Sequence, residues 1–187
     1  MRILCFGDSN TYGYDPRGFF GDRYSAEDRW VDLAAKQTGW ELINAGANGR
    51  EVPRNPYIIR LLEELAPVDL LLVMLGTNDL LQGKSAADTA LLMETFLKQL
   101  PNQACLLVTP PPMKRGAWVP DNELVAESVK LSEEYAALAR RLNIPFVDTR
   151  TWDIGLAYDG VHFTEAGNHV FATRLAEFLI EATPDAL

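Results

Sequence analysis

Asp69-Leu70-Leu71-Leu72-Val73-Met74-Leu75-Gly76-Thr77-Asn78-Asp79 is the stretch that decides the fold. An apolar run without alternation, stopped by glycine, fits a strand buried on both faces, as found in parallel sheets covered by helices on either side. Further strand-length apolar runs lie near Arg2–Phe6, Glu41–Asn44, Ala104–Thr109 and Pro145–Asp148. Helical spacing falls between them, over Arg29 to Gln37 (closed by Gly39), Tyr57 to Leu65, Ala86 to Leu100, and Asn122 to Leu142 with Asp121 as its N-cap. A last helix starts after Thr164. Strands and helices alternating over short links make βαβ units. The expected fold class is therefore α/β: a three-layer α/β/α sandwich on a flavodoxin-like five-stranded parallel sheet, with the order 2-1-3-4-5 following only indirectly, from the need for Ser9, Gly49 and Asn78 to converge. That order gathers the carboxyl ends of the first three strands, where open α/β sheets bind ligands.

Those ends carry chemistry. Gly7-Asp8-Ser9-Asn10 follows Ile3-Leu4-Cys5-Phe6, so a serine sits where a helix begins, facing backbone N–H groups and the positive end of the helix dipole. Serine is also a preferred N-cap, which is the plain structural alternative. Asn44-Ala45-Gly46-Ala47-Asn48-Gly49-Arg50 follows Leu42-Ile43, and its glycines let a backbone amide approach a substrate closely or simply serve a loop. Asn78 offers a neutral amide donor at a strand end, suited to an oxyanion hole or to an ordinary turn. Near the far end stands Asp159-Gly160-Val161-His162, with one of the chain's two histidines. A carboxylate three residues back can accept the imidazole Nδ1–H, leaving Nε2 to take a serine proton. A chemically idle Asp-Gly turn is the competing account. His169 lies among Val170, Phe171, Leu175, Phe178 and Leu179 at helical spacing and reads as flanking structure.

In this order the four blocks resemble the SGNH hydrolases of the GDSL lipase and esterase group, over nearly the entire chain. The resemblance implies Ser9 as nucleophile, Asp159 and His162 as the rest of a triad, and Gly49 and Asn78 as oxyanion donors beside the Ser9 N–H. It favours Gly49 over Gly46 because the family's glycine falls about five residues after the asparagine ending the second strand, an ordinary βα loop length. Ile3 to Gly13, Asp28-Arg29-Trp30, Met74 to Asp79, Thr109-Pro110-Pro111-Pro112 and Asp159 to Glu165 look most like the bacterial arylesterase and acyltransferase branch. Asn10 departs from the apolar residue usual after the serine, and an amide there is expected to alter the acyl pocket. The implied activity is a serine esterase acting through an acyl-enzyme on carboxylic esters with short acyl chains. Acyl transfer to an alcohol and thioester hydrolysis are its enzymatic alternatives. No metal or cofactor is implied.

At 187 residues the chain fits one catalytic domain, residues 1–187. A net charge of −9 and the lack of a basic cluster argue against nucleic acid as a partner. No apolar run approaches the ~20 residues of a membrane span, and the N-terminus enters strand residues without a leader pattern, so a cytoplasmic protein acting on a small-molecule ester is expected. Cys5 and Cys105 fall inside expected strands, as buried thiols without metal-ligand spacing. The irregular stretch Pro110 to Val119 is expected to overhang the site and carry specificity. Trp118 either walls the pocket or packs within that loop, and Tyr12, Tyr14 and Trp30 stand in the same position. The loop's apolar surface leaves a homo-oligomer open. A non-enzymatic reading is a phosphorylatable receiver domain using Asp8, Asp79 and Thr109. That domain would want a lysine where Thr149-Arg150 stand and would leave His162 without a role.

Overall fold

Strand β1 (Arg2–Gly7) takes the second place in a five-stranded sheet, because its side chains are apolar on both faces and need cover from both sides. The computed structural model describes residues 1–18, 22–55, 57–65, 67–100 and 102–182. After β1 come the one-turn helix α1 (Ser9–Tyr12), a two-stranded ribbon of β2 (Tyr14–Asp15) and β3 (Asp22–Arg23), α2 (Trp30–Thr38) and β4 (Glu41–Gly46). Next are α3 (Tyr57–Leu65), β5 (Leu70–Met74), α4 (Thr77–Leu81), α5 (Ala86–Leu97) and β6 (Cys105–Val108). The chain continues through α6 (Asn122–Leu142), β7 (Phe146–Val147), a 3-10 turn (Thr149–Thr151) and α7 (Glu165–Glu181).

Every pairing in the main sheet is parallel and the order is β4-β1-β5-β6-β7, the expected 2-1-3-4-5 among sheet strands. Gly7 stands level with Gly46 on one side and Met74 on the other, so three strands end together. Successive residues of a strand face opposite ways. Leu4, Phe6, Leu71, Val73 and Leu107 pack with residues of α3, α5 and α6, whereas Ile3, Cys5, Leu70, Leu72 and Leu106 pack with residues of α2 and α7. Both cysteines are buried free thiols. Asp121 and Thr164 cap α6 and α7 by accepting the N–H groups of Leu124 and Gly167. Helix α5 stops at Leu97, short of the expected Leu100. Helix α1 begins at the serine, as expected, whereas α4 and the ribbon escaped the sequence reading because so few residues cannot show a period.

Candidate active site

Ser9 is presented by a tight exit from β1. A Cβ on Gly7 would run into the Thr11 side chain, so the chain can fold back on itself here because residue 7 is glycine. Asp8, not Ser9, is the N-cap: its side chain accepts the Asn10 N–H at 3.0 Å. The capping alternative for the serine is thus corrected, and the hydroxyl is left to another partner. That partner is His162, whose Nε2 lies 2.9 Å from Ser9 Oγ. Burial pushes the Asp8 carboxyl up to about 6, against the pull of the Asn10 N–H and the nearby His162 and Arg50.

The other nitrogen of His162, Nδ1, lies 2.7 Å from Asp159 Oδ2, which assigns the proton to Nδ1 and leaves Nε2 to accept from the serine. Asp159 Oδ1 accepts the N–H groups of Val161 (2.9 Å) and His162 (3.0 Å). Burial works to raise the Asp159 carboxyl, but these hydrogen bonds together hold it below the usual carboxylate range. Gly160 adopts φ +82, which the tight turn between acid and base requires. Both side chains are buried, at 1% and 2% exposure.

The Pro110–Val119 stretch is joined to this turn through its backbone. Lys114, Ala117 and Trp118 donate N–H groups to the carbonyls of Gly160, Tyr158 and Asp159 at 3.0–3.1 Å. A Cβ on Gly116 would collide with the Asp159 and Gly160 backbone. The expected overhang is therefore in large part a brace. Trp118 rises from it half-exposed, its ring edge-on to His162 with centroids 5.0 Å apart, and Tyr14 approaches the same imidazole at 4.5 Å. For the other two aromatics the packing alternative holds. Trp30 is fully buried and donates Nε1–H to Asn10 O, and Tyr12 lies under the Arg23 guanidinium. His169 pairs with Asp28 on the surface.

Asn10 is not a pocket wall either. It is buried, donates from Nδ2 to Val161 O (3.1 Å) and accepts the Phe163 N–H on Oδ1 (2.9 Å).

At the ends of the strands on either side of β1 stand Asn78, half-buried on α4, and the turn after β4. Asn78 Nδ2 donates to Arg50 O at 3.1 Å, which sets its amide against the Gly49 turn. Gly49 is exposed with φ +72, and nothing among the described residues accepts its N–H or that of Ser9. Gly46 is already engaged: its N–H bonds Asn44 Oδ1, and a Cβ there would strike the Thr11 and Tyr12 backbone. Behind the turn, fully buried Asp79 accepts the Val52 N–H at 2.8 Å and faces Lys84 Nζ at 3.3 Å, while Lys84 also pairs with Glu51. Burial raises the Asp79 carboxyl. The Arg50 guanidinium lies over the Phe6 ring and donates to the Gly7 and Ala45 carbonyls. Sequence reading gave Arg50, Val52 and Lys84 no role, since a charge or an amide in a loop carries no sign of its partner.

These contacts also remove the receiver reading. Asp79 is enclosed, and Thr109 Oγ1 is 3.3 Å from Thr149 Oγ1 and accepts the Thr149 N–H. Among the described residues no three His, Cys, Asp or Glu side chains are grouped to hold a metal ion, and no helix is long and apolar enough to cross a membrane.

Comparison with known proteins gives the chain a family and a fold. The model of the GDSL-like lipase/acylhydrolase family matches residues 5–170. The chain is similar to an aryl esterase from M. smegmatis, with 30% identity and TM-score 0.83, covering 100% of this chain and 99% of that one. It is also similar to a carbohydrate acetylesterase family member from Sinorhizobium meliloti, with 26% identity and TM-score 0.85, covering 96% and 97%. No curated protein sequence matches it. The matched residues take in all four motif blocks, and the chain belongs to the GDSL-like lipase/acylhydrolase family.

Proposed function

We propose that Ser9, His162 and Asp159 form the catalytic triad of a serine esterase, with the N–H groups of Ser9 and Gly49 and the Asn78 amide as its oxyanion hole. One observation carries the reading. A buried relay runs from Ser9 Oγ through both imidazole nitrogens to Asp159, at 2.9 and 2.7 Å, beside backbone donors that have no acceptor among the described residues.

Ser9 Oγ attacks the ester carbonyl carbon as its proton passes to His162 Nε2. The electron pair moves to the carbonyl oxygen, which the three donors stabilise. His162 then protonates the leaving alcohol as its bond to carbon breaks, giving an acyl-Ser9 ester. Water attacks that ester, His162 takes the water proton and returns one to Ser9, and the carboxylic acid departs. Asp159 stays ionised throughout and stabilises the imidazolium, as its low-lying pKa allows.

Trp118 and Tyr14 flank the imidazole and would border the entering ester. This suits compact acyl groups on aryl or sugar alcohols, the classes named for the M. smegmatis and Sinorhizobium meliloti structures. The reading takes residues 1–187 as one catalytic domain, and the buried free thiols go with a reducing, cytoplasmic setting. The test is a series of p-nitrophenyl esters from acetate upward, run on wild type and Ser9→Ala together. Wild type should turn over the shortest esters best and Ser9→Ala none. Hydrolysis surviving in Ser9→Ala would overturn the assignment. A short alcohol added during turnover separates hydrolysis from transfer by the ratio of new ester to acid.

A further inference from the structure

We infer that Asn10 is a positioning residue that holds His162 in register with Ser9 by gripping the two peptide groups on either side of the imidazole. The inference rests on the triad reading above and goes beyond it. Asn10 follows the nucleophile directly and lies on the same turn of α1, so anything it holds is placed relative to Ser9. It holds Val161 O at 3.1 Å and the Phe163 N–H at 2.9 Å, and His162 is the single residue between them. The carboxamide is matched to the task, with one end donating, the other accepting, and each facing its complement. The grip is itself fixed. Asn10 is 5% exposed, its N–H is bound to Asp8 Oδ1 and its carbonyl to Trp30 Nε1–H, so neither the side chain nor its backbone can drift.

This arrangement answers a mechanical problem. The nucleophile and its base lie 153 residues apart in sequence, and the hydrogen bonds from Lys114, Ala117 and Trp118 among the described residues reach the acid's side of the turn, not Ser9. Asn10 joins the serine turn to the backbone carrying the base. Although an apolar residue is usual at this place in the family, in this chain, whose turn is built around the amide, it would leave a buried carbonyl and a buried N–H facing it. The Asp159–His162 pair, bonded within its own turn, would then be free to shift as a unit away from Ser9 Oγ.

Three variants test this, with phosphonylation of Ser9 by an organophosphonate followed by mass spectrometry as the common reference. In Asn10→Leu, kcat for p-nitrophenyl acetate should fall about 10–100-fold with KM within about two-fold, the scale for misplacing a reacting group by an ångström or less. The phosphonylation rate should fall in parallel. Asn10→Asp keeps the shape but donates to Val161 O when its carboxyl is protonated and repels that carbonyl when ionised. Neighbouring Asp8 and Asp159 favour its protonated form, while His162 and Arg50 favour the ionised one. Its kcat relative to wild type should therefore rise several-fold as pH is lowered from 8 to 5.5, while the Asn10→Leu ratio stays flat. A variant that merely loosened the fold would show no such recovery, and the Asn10→Asp ratio decides the matter even if Asn10→Leu does not fold. Ser9→Ala completes the set. If wild type is phosphonylated on Ser9 but Asn10→Leu keeps wild-type kcat, or the Asn10→Asp ratio does not change with pH, the positioning role is wrong. If wild type is not phosphonylated on Ser9, the triad reading fails and takes this inference with it.

Discussion

On the His162 side of the site, each side-chain atom of Asn10, Asp159 and His162 that can hydrogen-bond has a partner inside the protein, whereas on the Gly49 side the backbone donors aim at no acceptor among the described residues. The contrast follows from what each side must do. A proton relay can be assembled before substrate arrives, because serine, imidazole and carboxylate already satisfy one another. An oxyanion hole has to stay unsatisfied until charge develops, so its rigidity must come from behind. Here it comes from Asn78 on Arg50 O, Asp79 on the Val52 N–H, and Lys84 between Asp79 and Glu51.

Breaking the open side should have the largest effect. Asn78→Ala removes a donor and the prop on Arg50 O together, and kcat should fall roughly 100–1,000-fold with KM little changed. Steady-state kinetics on one short ester measures it. A loss confined to KM would mean that Asn78 binds substrate and does not stabilise the transition state.

Asp8 sharpens the comparison, because it is a carboxyl buried between the two sides. Its folded pKa of about 6 stands above the ordinary 3.8, so the fold favours the protonated form. The stability this contributes is complete below the ordinary value and is lost as pH rises through about 6. Asp8→Asn keeps the cap without the charge. Its stability relative to wild type should grow between pH 4 and 7 and then level off, by up to about 3 kcal/mol. Urea denaturation at a series of pH values reads it directly, and a difference independent of pH would contradict the account.

The smallest effect belongs to the rim. Trp118 is 50% exposed and touches His162 edge-on, so Trp118→Ala should raise KM for aryl esters roughly 2–10-fold, the scale of one aromatic contact, and leave kcat for acetyl esters of small alcohols nearly unchanged. A collapse of kcat would place Trp118 with the brace instead of the rim.

The sheet was legible because unbroken apolar runs such as Leu70–Met74 admit few other fates, and three of the four motif blocks stood at strand ends where chemistry gathers, the fourth just before the last helix. Other features were out of reach for physical reasons. Asn10 read as a pocket residue because its partners are 151 and 153 residues away, and no local pattern announces them. The Pro110–Val119 stretch read as an overhang because its bracing is done by backbone N–H groups, which nearly every residue carries. Gly46 and Gly49 are alike as letters. One packs against the α1 backbone and the other sits exposed at positive φ, a difference that exists only in three dimensions.

The most direct test of the central claim is to trap the enzyme partway through turnover. Wild type mixed with p-nitrophenyl acetate and quenched in acid within milliseconds should carry one acetyl group, located on the peptide containing Ser9, and the adduct should be absent from Ser9→Ala. An acetyl group found on another residue, or rapid turnover by Ser9→Ala, would contradict the relay from Asp159 through His162 to Ser9.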